Sequence, residues 1–240
     1  MISLRSSPKL QRIKREIWIM KYGSITTGII ADGLVFNMDA ANRASTIPST
    51  STDKTFNTVD TSISGSFVND TIFDASTITP SYAFDGTEDY ITIKGFNDIT
   101  VTTTSVWFNF QLSGNKIVME KGSNGKMMFQ PVDSNRVWYA DRKLYTNYSG
   151  FPGSIMNGTW NNWVSIEDTD YVYLYVNGVL KNSQANTTLS TNSGDITIMA
   201  RTGGDHSQLG NIGPVQIYNR ALSANEVLHN YNALKGRFNL

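Results

Sequence analysis

The sequence predicts an all-β protein, a β-sandwich of two antiparallel sheets with a basic N-terminal arm and one short C-terminal helix. Three observations carry this prediction. Ser, Thr and Asn together fill 72 of the 240 positions, whereas charged residues make up only 17%. Thr favours strands, while Ser and Asn favour turns. Short apolar runs recur between turn signals at intervals of about 8–12 residues or somewhat more, and only the C-terminal end has a helical pattern.

The predicted strands follow one another from residue 33 to residue 220. In chain order they cover 33–40, 83–93, 99–110, 116–122, 126–132, 136–141, 163–168, 171–178, 195–201 and 212–220. Between the first two lies the segment 45–66, which is rich in Ser and Thr and poor in core residues. We interpret this segment as a long surface excursion rather than as a linker between domains.

The run YVYLYVNG at 171–178 has the clearest strand pattern. Its side chains alternate, so that Val172, Leu174 and Val176 share one face while the three tyrosines share the other. The Asn-Gly pair that ends the run predicts a hairpin, because both central positions of a type I′ turn favour positive φ.

The segment 223–236 (SANEVLHNYNALKG) predicts the C-terminal helix. Ser223 followed three residues later by Glu226 is a capping box. Four apolar or aromatic side chains then share one helix face: Val227, Leu228, Tyr231 and Leu234.

The net charge of zero is divided unevenly along the chain. Residues 1–21 hold six Lys or Arg against Glu16, a balance of +5, and the rest carries −5. We therefore divide the chain into a basic arm and lead-in at 1–32 and a domain at 33–240. Ordering the arm needs packing partners, because fixing each residue's backbone costs about 1–2 kcal/mol. We interpret the arm as an assembly anchor that meets a neighbouring protein, although a disordered tail is the alternative. Its candidate contact residues are Arg5, Lys9, Arg12, Ile13, Lys14, Arg15, Ile17, Trp18 and Ile19.

Several classes of protein are excluded or disfavoured by what the sequence lacks. There is no cysteine, which removes disulfides and thiolate metal sites. No apolar run approaches the ~20 residues of a membrane span, and the IWIM run at 17–20 is too short for a secretory signal, so we expect no membrane association and no signal peptide. A lone basic arm without a nucleic-acid-reading fold gives no reason to expect a nucleic acid partner.

The order of several segments resembles the laminin-G-like jelly roll of the concanavalin A-like lectin/glucanase superfamily. The segments are AFDGTEDYITI, a strand ending in VWFNF, IVMEKG, GTWNNWVSI, YLYVNGVL and IGPVQIYNRALSANEV. The opening phrase DGLVFNMDAANR is similar to one found in jelly-roll proteins of bacteriophage particles. The resemblance covers about residues 33–232 and implies a jelly roll with one concave sheet. It also implies ligand sites among the loops or on that concave face.

The same resemblance raises the question of calcium, although no other cofactor is expected. Asp85 and Asp89 of FDGTEDY match acids that lie near a calcium ion in related jelly rolls. Many relatives also have an acidic pair before the IY strand, where this chain has Gly213 and Pro214. The alternative for the two aspartates is a turn that Asp89 caps through side-chain bonds to the backbone.

A catalytic site is not expected. Glycosidases of this superfamily need two carboxyl groups that face each other, and alternate acids on one strand are the usual source. The only acidic cluster is Glu167-Asp168-Thr169-Asp170, which lacks that alternation and is interpreted as a solvated turn.

The candidate glycan-binding rim lies in RVWYADRKLYTNYSGF at 136–151, where aromatic residues are dense beside Arg and Asn. Aromatic rings can stack on sugar rings, although packing inside the sandwich is the alternative. The candidates are Arg136, Trp138, Tyr139, Arg142, Tyr145, Asn147 and Tyr148, whereas Trp107 and Trp160 are interpreted as core residues.

We predict a non-enzymatic structural protein of a bacteriophage particle: a capsid decoration, neck, tail or fibre component made in the host cytoplasm. Its partners would be other virion proteins, through the arm, and host-surface or other glycans, with a homo-oligomer left open. The alternatives are a free-standing bacterial carbohydrate-binding module and, disfavoured by the missing carboxyl pair, a glycoside hydrolase.

Overall fold

The computed structural model describes ten stretches of the chain, and the account below concerns these. They are residues 28–46, 53–74, 79–96, 102–110, 116–122, 126–133, 136–139, 144–147, 158–186 and 194–240. The arm and its anchor candidates lie outside them.

Sixteen strands and one α-helix lie in the described stretches. The strands are β1 Leu34–Met38, β2 Lys54–Phe56, β3 Ser64–Val68, β4 Ile72–Asp74, β5 Ser81–Asp85, β6 Tyr90–Ile93, β7 Thr103–Phe110, β8 Met119–Lys121, β9 Lys126–Asp133, β10 Arg136–Tyr139, β11 Leu144–Asn147, β12 Asn161–Glu167, β13 Tyr171–Val176, β14 Val179–Ala185, β15 Ile196–Ile198 and β16 Leu209–Tyr218. The helix is α1 Ala224–Leu234, and a 3-10 helix follows at Lys235–Phe238.

The strands form two antiparallel sheets, which confirms the predicted sandwich. Sheet I has the order β14-β13-β12-β7-β16-β5-β4, and β1 also pairs with β16. Sheet II has the order β11-β10-β9-β8-β15-β6-β3-β2. Some neighbouring strands are consecutive along the chain, such as β12 and β13, whereas others are distant, as in β16 between β7 and β5. The sheets therefore join segments from the whole domain.

The main core lies between the two sheets. Alternate residues of β7 and β13 contribute Val106, Phe108, Val172 and Leu174 from sheet I, all with 1% exposure or less. From sheet II, Ile91, Ile93, Ile196 and Ile198 face them with no exposure. The period-two pattern read from the sequence is therefore the pattern of the sandwich interior.

The hairpin and the helix cap have their predicted geometry. Asn177 and Gly178 have φ values of 51° and 76° between β13 and β14. The Ser223 side chain accepts a hydrogen bond from the Glu226 backbone, and the Glu226 side chain accepts one from Ser223. One residue of the predicted helix face is wrong: Leu228 is 44% exposed, whereas the polar Asn230 is buried.

The segment 45–66 is not only a surface excursion. It contains β2 and begins β3, which extend sheet II at its edge. Thr55 and Gly65 occupy inward positions on these strands. The sequence of the two strands therefore lacks the alternation of apolar and polar residues that predicts a strand. Thr55 is fully buried, and its hydroxyl forms a hydrogen bond with the Tyr82 hydroxyl at 2.6 Å. The Thr46 hydroxyl forms a second hydrogen bond with the same Tyr82 oxygen at 2.7 Å.

The outer face of sheet I is covered by α1 and by residues 28–34. Buried side chains of β12, β13 and β16 form a second apolar cluster with the helix residue Val227 and with Ile30. Ile30 is fixed by polar bonds: its N–H donates to Asn230 Oδ1 at 2.8 Å, and its carbonyl accepts from Tyr218 Oη at 3.0 Å. Residues 28–32 thus pack on the domain. The boundary that we place after residue 32, between the lead-in and the domain, stays a prediction.

Candidate functional site

A groove of about 280 Å³ opens on the outer face of sheet I, beside the C-terminal end of the helical segment. Polar side chains, four of which lie on strands, form most of its lining, and two aromatic rings form one wall. The polar lining residues are Asp74, Thr79, Ser81, Asn109, Asn211 and Asn239, and the aromatic ones are Trp160 and Phe238.

The polar residues form a row across four neighbouring strands. Asn109 on β7 lies opposite Asn211 on β16, and Ser81 on β5 lies opposite Asp74 on β4. Asn211 Nδ2 donates to Ser81 Oγ at 3.0 Å, which joins the two halves of the row and orients the amide. These positions alternate with core residues such as Phe108 and Ile212, so their side chains point away from the sandwich interior.

The aromatic wall depends on a glycine in β16. A Cβ added to Gly213 would lie 3.2 Å from Phe238 Cζ and 3.3 Å from Trp160 Cζ3, so the rings lie close to the strand backbone. The ring centroids of Trp160 and Phe238 are 4.7 Å apart, and those of Trp107 and Phe238 are 4.3 Å apart. Trp107 on β7 and Phe238 of the 3-10 helix are buried against each other, whereas Trp160 is half-buried and lines the groove.

The position of Phe238 is held by polar bonds from its neighbour Arg237 to residues that flank the strands. Arg237 donates to both carboxylate oxygens of the buried Asp39, at 2.7 and 3.0 Å, and its guanidinium lies 5.3 Å from the Phe238 ring centre. Thr79 Oγ1 donates to the Arg237 carbonyl at 2.8 Å. The end of the helical segment is therefore docked to the sheet at the edge of the groove.

The glycan-binding rim predicted from the sequence lies on the edge of the other sheet. Arg136, Trp138 and Tyr139 lie on β10, while Tyr145 and Asn147 lie on β11, the edge strand. Trp138 is directly opposite Tyr145 in the register, so these two positions share a face. Arg142 and Tyr148 lie outside the described residues, and the rim stays a prediction.

Asp85 and Asp89 both lie at the β5–β6 turn, with Asp89 nearly fully buried. The Asp89 carboxylate accepts backbone N–H bonds from Asp70 at 2.9 Å and from Asp85 at 3.0 Å, while Asp85 Oδ1 accepts one from Thr87. Burial is the main cause that raises the pKa of Asp89, against these two hydrogen bonds. The oxygens that calcium would need thus already accept backbone hydrogen bonds, which favours a capping role.

Two other acids, Glu120 and Glu167, are buried in different sheets of the sandwich. Glu120 lies on β8 of sheet II, 1% exposed, with its Oε2 3.7 Å from Arg201 Nε. Glu167 lies on β12 of sheet I. Its neighbour Ile166 faces outward, so Glu167 faces the sandwich interior. In the described residues there is no group of three or more His, Cys, Asp or Glu that could hold a metal ion.

The groove was not predicted from the sequence, and Trp160 was assigned to the core. A signal for it exists in β7, where Asn109 alternates with Trp107 and therefore shares its outward face. The other residues of the groove come from segments up to about 165 positions apart, and nothing in the sequence brings Asp74 to Asn239.

Two antiparallel sheets in a sandwich, with the strand order above and a short C-terminal helix, define the class of concanavalin A-like β-sandwich proteins. A protein-family comparison agrees: residues 85–228 match the Laminin_G_3 model of the concanavalin A-like lectin/glucanases superfamily. The chain belongs to this family. A comparison with curated proteins gave no match.

Solved structures with a similar fold include binding domains of toxins. The binding domain of Paraclostridial Mosquitocidal Protein 1 is similar at a TM-score of 0.64 and 17% identity, over 84% of this chain and 52% of that one. The botulinum neurotoxin serotype D binding domain gives a TM-score of 0.61 and 14% identity, over 84% of this chain and 52% of that one.

A serotype D ligand-binding domain in complex with N-acetylneuraminic acid gives a TM-score of 0.62 and 15% identity, over 84% of this chain and 51% of that one. The present chain thus spans about half the length of these toxin domains. At such identities the similarity shows the fold. In the described stretches, no helix combines the length and the apolar character that crossing a membrane would need.

Proposed function

We propose that the protein is a non-catalytic glycan-binding component of a bacteriophage particle. The observation that carries glycan binding is the groove on sheet I, in which the half-buried Trp160 lies beside a row of amide, hydroxyl and carboxylate side chains. Ligand sites in proteins combine apolar walls with a few placed polar groups in this way.

The chemistry of the groove suits a sugar ring. The Trp160 ring offers an apolar surface for the C–H face of a pyranose. Asn109, Asn211 and Asn239 each carry both a donor group and an acceptor group, which matches hydroxyls that both donate and accept. The volume of about 280 Å³ is close to the lower limit of ligand pockets, and thus fits one ring with its neighbours extending into solvent.

We also propose that the protein is not a catalyst, because of the way its carboxyl groups are arranged. Hydrolysis of a glycosidic bond normally needs two carboxyl groups about 5–10 Å apart. Among the described residues that line the groove, Asp74 is the one acid. We expect the purified protein to release no reducing sugar from a panel of polysaccharides, and release that depends on Asp74 would contradict this proposal.

The proposal that the protein belongs to a bacteriophage particle is based on the basic arm and on the opening phrase DGLVFNMDAANR. Residues 28–32 are held against α1 by the Ile30 bonds and by Arg220, whose Nε lies 2.9 Å from an Asp32 carboxylate oxygen. Residue 28, where the first described stretch begins, therefore lies on the helix side of sheet I. We propose that the residues of the arm bind a neighbouring virion protein, and that deleting residues 1–19 leaves a folded domain that fails to join the particle. Normal incorporation of the truncated protein would contradict the anchor.

Glycan binding is tested with an array and three alanine variants. Trp160→Ala should weaken binding by at least about tenfold, because the stacking surface is lost. Tyr171→Ala is the matched control, since Tyr171 is an aromatic residue with 46% exposure on the distant strand β13 and should leave binding unchanged. Trp138→Ala tests the rim on sheet II. Thermal denaturation of each variant checks that the fold is intact.

The outcomes separate the two sites. Loss of binding with Trp160→Ala alone supports the groove, while loss with Trp138→Ala alone supports glycan binding at the rim and contradicts the groove. Failure of the unaltered protein to bind any glycan would contradict the proposed function itself.

A further inference from the structure

We infer that the ligand of the groove is a sugar that carries an N-acetyl group, and that an aliphatic patch beside the polar row holds its methyl group. The patch consists of Ile72, Ala83 and Leu209, on three neighbouring strands of sheet I. This inference rests on the proposed function and specifies the class of sugar. It follows from the position of the patch, the orientation of Asn211 and the spacing of residues along β16.

The three residues of the patch lie on the outer face of sheet I, the face that carries the groove. Both neighbours of Ala83 on β5 are core residues, so the Ala83 side chain points outward. Ile72 is opposite Ala83 in the register, and Leu209 is two residues from the outward-facing Asn211 on β16. Their side chains therefore share this face.

The patch exposes apolar side chains on a sheet face where polar residues would be expected. Ile72 is 58% exposed and Leu209 is 51% exposed, while Ala83, on the strand between theirs, is half-buried. Burying apolar surface of this kind against an apolar part of a ligand is favourable, because it removes both surfaces from water.

Asn211 lies at the border between the patch and the polar row. It is opposite Ala83 on one side and opposite Asn109 on the other. Its Nδ2 donates to Ser81 Oγ at 3.0 Å, so the amide is oriented and Oδ1, on its other arm, faces away from Ser81. An acetamido group can donate its N–H to an acceptor of this kind, and its methyl group belongs to the same planar unit. Asn211 is therefore placed to direct the methyl group onto the patch.

The spacing along β16 suits one pyranose ring. Gly213, beside which the Trp160 ring packs, is two residues from Asn211, or about 7 Å along the strand. A pyranose stacked on the Trp160 ring would thus bring an acetamido group on its edge to Asn211 Oδ1, with the methyl group over the patch. A hydroxyl in place of the acetamido group has no methyl group and would leave the patch exposed to water.

The test compares sugars that differ in one substituent. Dissociation constants are measured by NMR titration with two pairs of methyl glycosides, N-acetylglucosamine with glucose and N-acetylgalactosamine with galactose. We expect one N-acetylated sugar to bind at least about tenfold more tightly than its partner, because its N–H bonds Asn211 while its methyl group covers the patch. Leu209→Ser should reduce this ratio severalfold without weakening the binding of the sugar that lacks the N-acetyl group.

Leu228→Ser is the matched control, because it makes the same change at a leucine of α1 that is 44% exposed and lies beside the β13–β14 hairpin. A ratio that Leu228→Ser reduces as much as Leu209→Ser, or that Leu209→Ser leaves unchanged, would overturn the inference. The ratio of the unaltered protein is a second test, which does not depend on the folding of any variant.

Two results distinguish failure of this inference from failure of the proposed function. Equal or weaker binding of both N-acetylated sugars, with binding lost in Trp160→Ala, would overturn the N-acetyl preference while supporting glycan binding in the groove. Binding only of array glycans without an N-acetyl group would overturn the preference in the same way. The absence of any glycan binding would overturn both.

Discussion

Arg237 and Asp39 form an ion pair that links residues 198 positions apart. The Asp39 side chain is 1% exposed, and both of its oxygens accept bonds from the guanidinium. Asp39 Oδ1 also accepts the Ala41 N–H at 3.0 Å, so the carboxylate organises the turn after β1. A buried carboxylate of this kind needs its cation, because its solvation by water has been lost.

Arg237→Ala should lower the free energy of unfolding by about 3–5 kcal/mol, since it leaves the Asp39 carboxylate buried without its partner. Chemical denaturation measures the change. Adding Asp39→Asn to Arg237→Ala should recover part of the loss, because the unpaired charge is then removed. A cost below about 1 kcal/mol would show that the pair is weak, like an exposed surface pair.

A second ion pair acts at the start of α1. Arg220 Nη2 lies 2.6 Å from Glu226 Oε1, and this interaction is the largest cause that lowers the pKa of Glu226 to about 2, well below the usual range of a glutamate. A carboxyl whose pKa is lower in the folded state stabilises the protein above its unfolded pKa. This stabilisation is lost as the pH falls from about 5 towards 2.

Glu226→Gln should therefore lower stability by about 0.5–1 kcal/mol at pH 7, with a difference from the unaltered protein that disappears near pH 2. Glutamine keeps the capping-box bonds, so the variant isolates the ion pair. Ser223→Ala is the control: it should cost about 1 kcal/mol through loss of the cap, with less dependence on pH. A Glu226→Gln effect that does not change between pH 5 and 2 would contradict this explanation.

At the scale of elements, the edge of sheet II shows why the segment 45–66 was misinterpreted. Apolar alternation identifies a strand only where apolar side chains fill the inward positions. Here Gly65 and Thr55 occupy them, and Phe67 on β3 contacts the Tyr82 ring edge to face. The strands form because their backbones pair and the Tyr82 hydroxyl satisfies the threonines, neither of which is a local property of the sequence.

Gly65→Ala should destabilise the protein by about 1–3 kcal/mol, because the new methyl group would lie 2.7 Å from Thr55 Cγ2 and 2.9 Å from Ile91 Cγ2. Gly236→Ala is the matched control, since no atom lies within 4 Å of an added Cβ there. Thermal denaturation compares the two variants. Equal melting temperatures would show that β2 and β3 can move apart without cost.

The helix α1 is the opposite case. Its local pattern was sufficient to predict that a helix forms, but it did not predict which face of the helix is buried. The capping box and the spacing of apolar residues predicted its bounds closely. The buried face nevertheless includes Asn230, which donates to Tyr218 Oη at 3.0 Å and accepts from Ile30. Burial raises the pKa of Tyr218 to about 12, although the hydrogen bond with Asn230 acts in the opposite direction.

At the scale of the whole molecule, we expect the fold to be stable without calcium. The Asp89 carboxylate accepts backbone bonds from two segments, Asp70 and Asp85, and so performs a structural role that a cation would otherwise share. Adding about 1 mM calcium or excess chelator should shift the melting temperature by less than about 1 °C.

A site with a dissociation constant near 10 μM would instead give about 2.7 kcal/mol at that concentration, or roughly 5–10 °C for a chain of this size. Such a shift, abolished by Asp85→Asn, would support calcium at the β5–β6 turn and contradict the capping role. Asp89→Ala should destabilise the protein in either case, and therefore does not replace the titration.

The sequence by itself determined the fold class, most strands and the C-terminal helix. It did so because alternation of apolar side chains, Asn-Gly turns and helix caps are local signals, as in YVYLYVNG and in Ser223 with Glu226. The topology of the sandwich was inferred from the family resemblance, because local signals do not contain it. Only the tertiary structure decided where the polar residues meet. Asp74, Asn109, Asn211 and Trp160 form one groove because β4, β5, β16 and β7 are neighbours in sheet I, and because Gly213 lets the aromatic wall approach the strand. Strand order and side-chain packing between distant segments create that site, and no spacing along the chain encodes either.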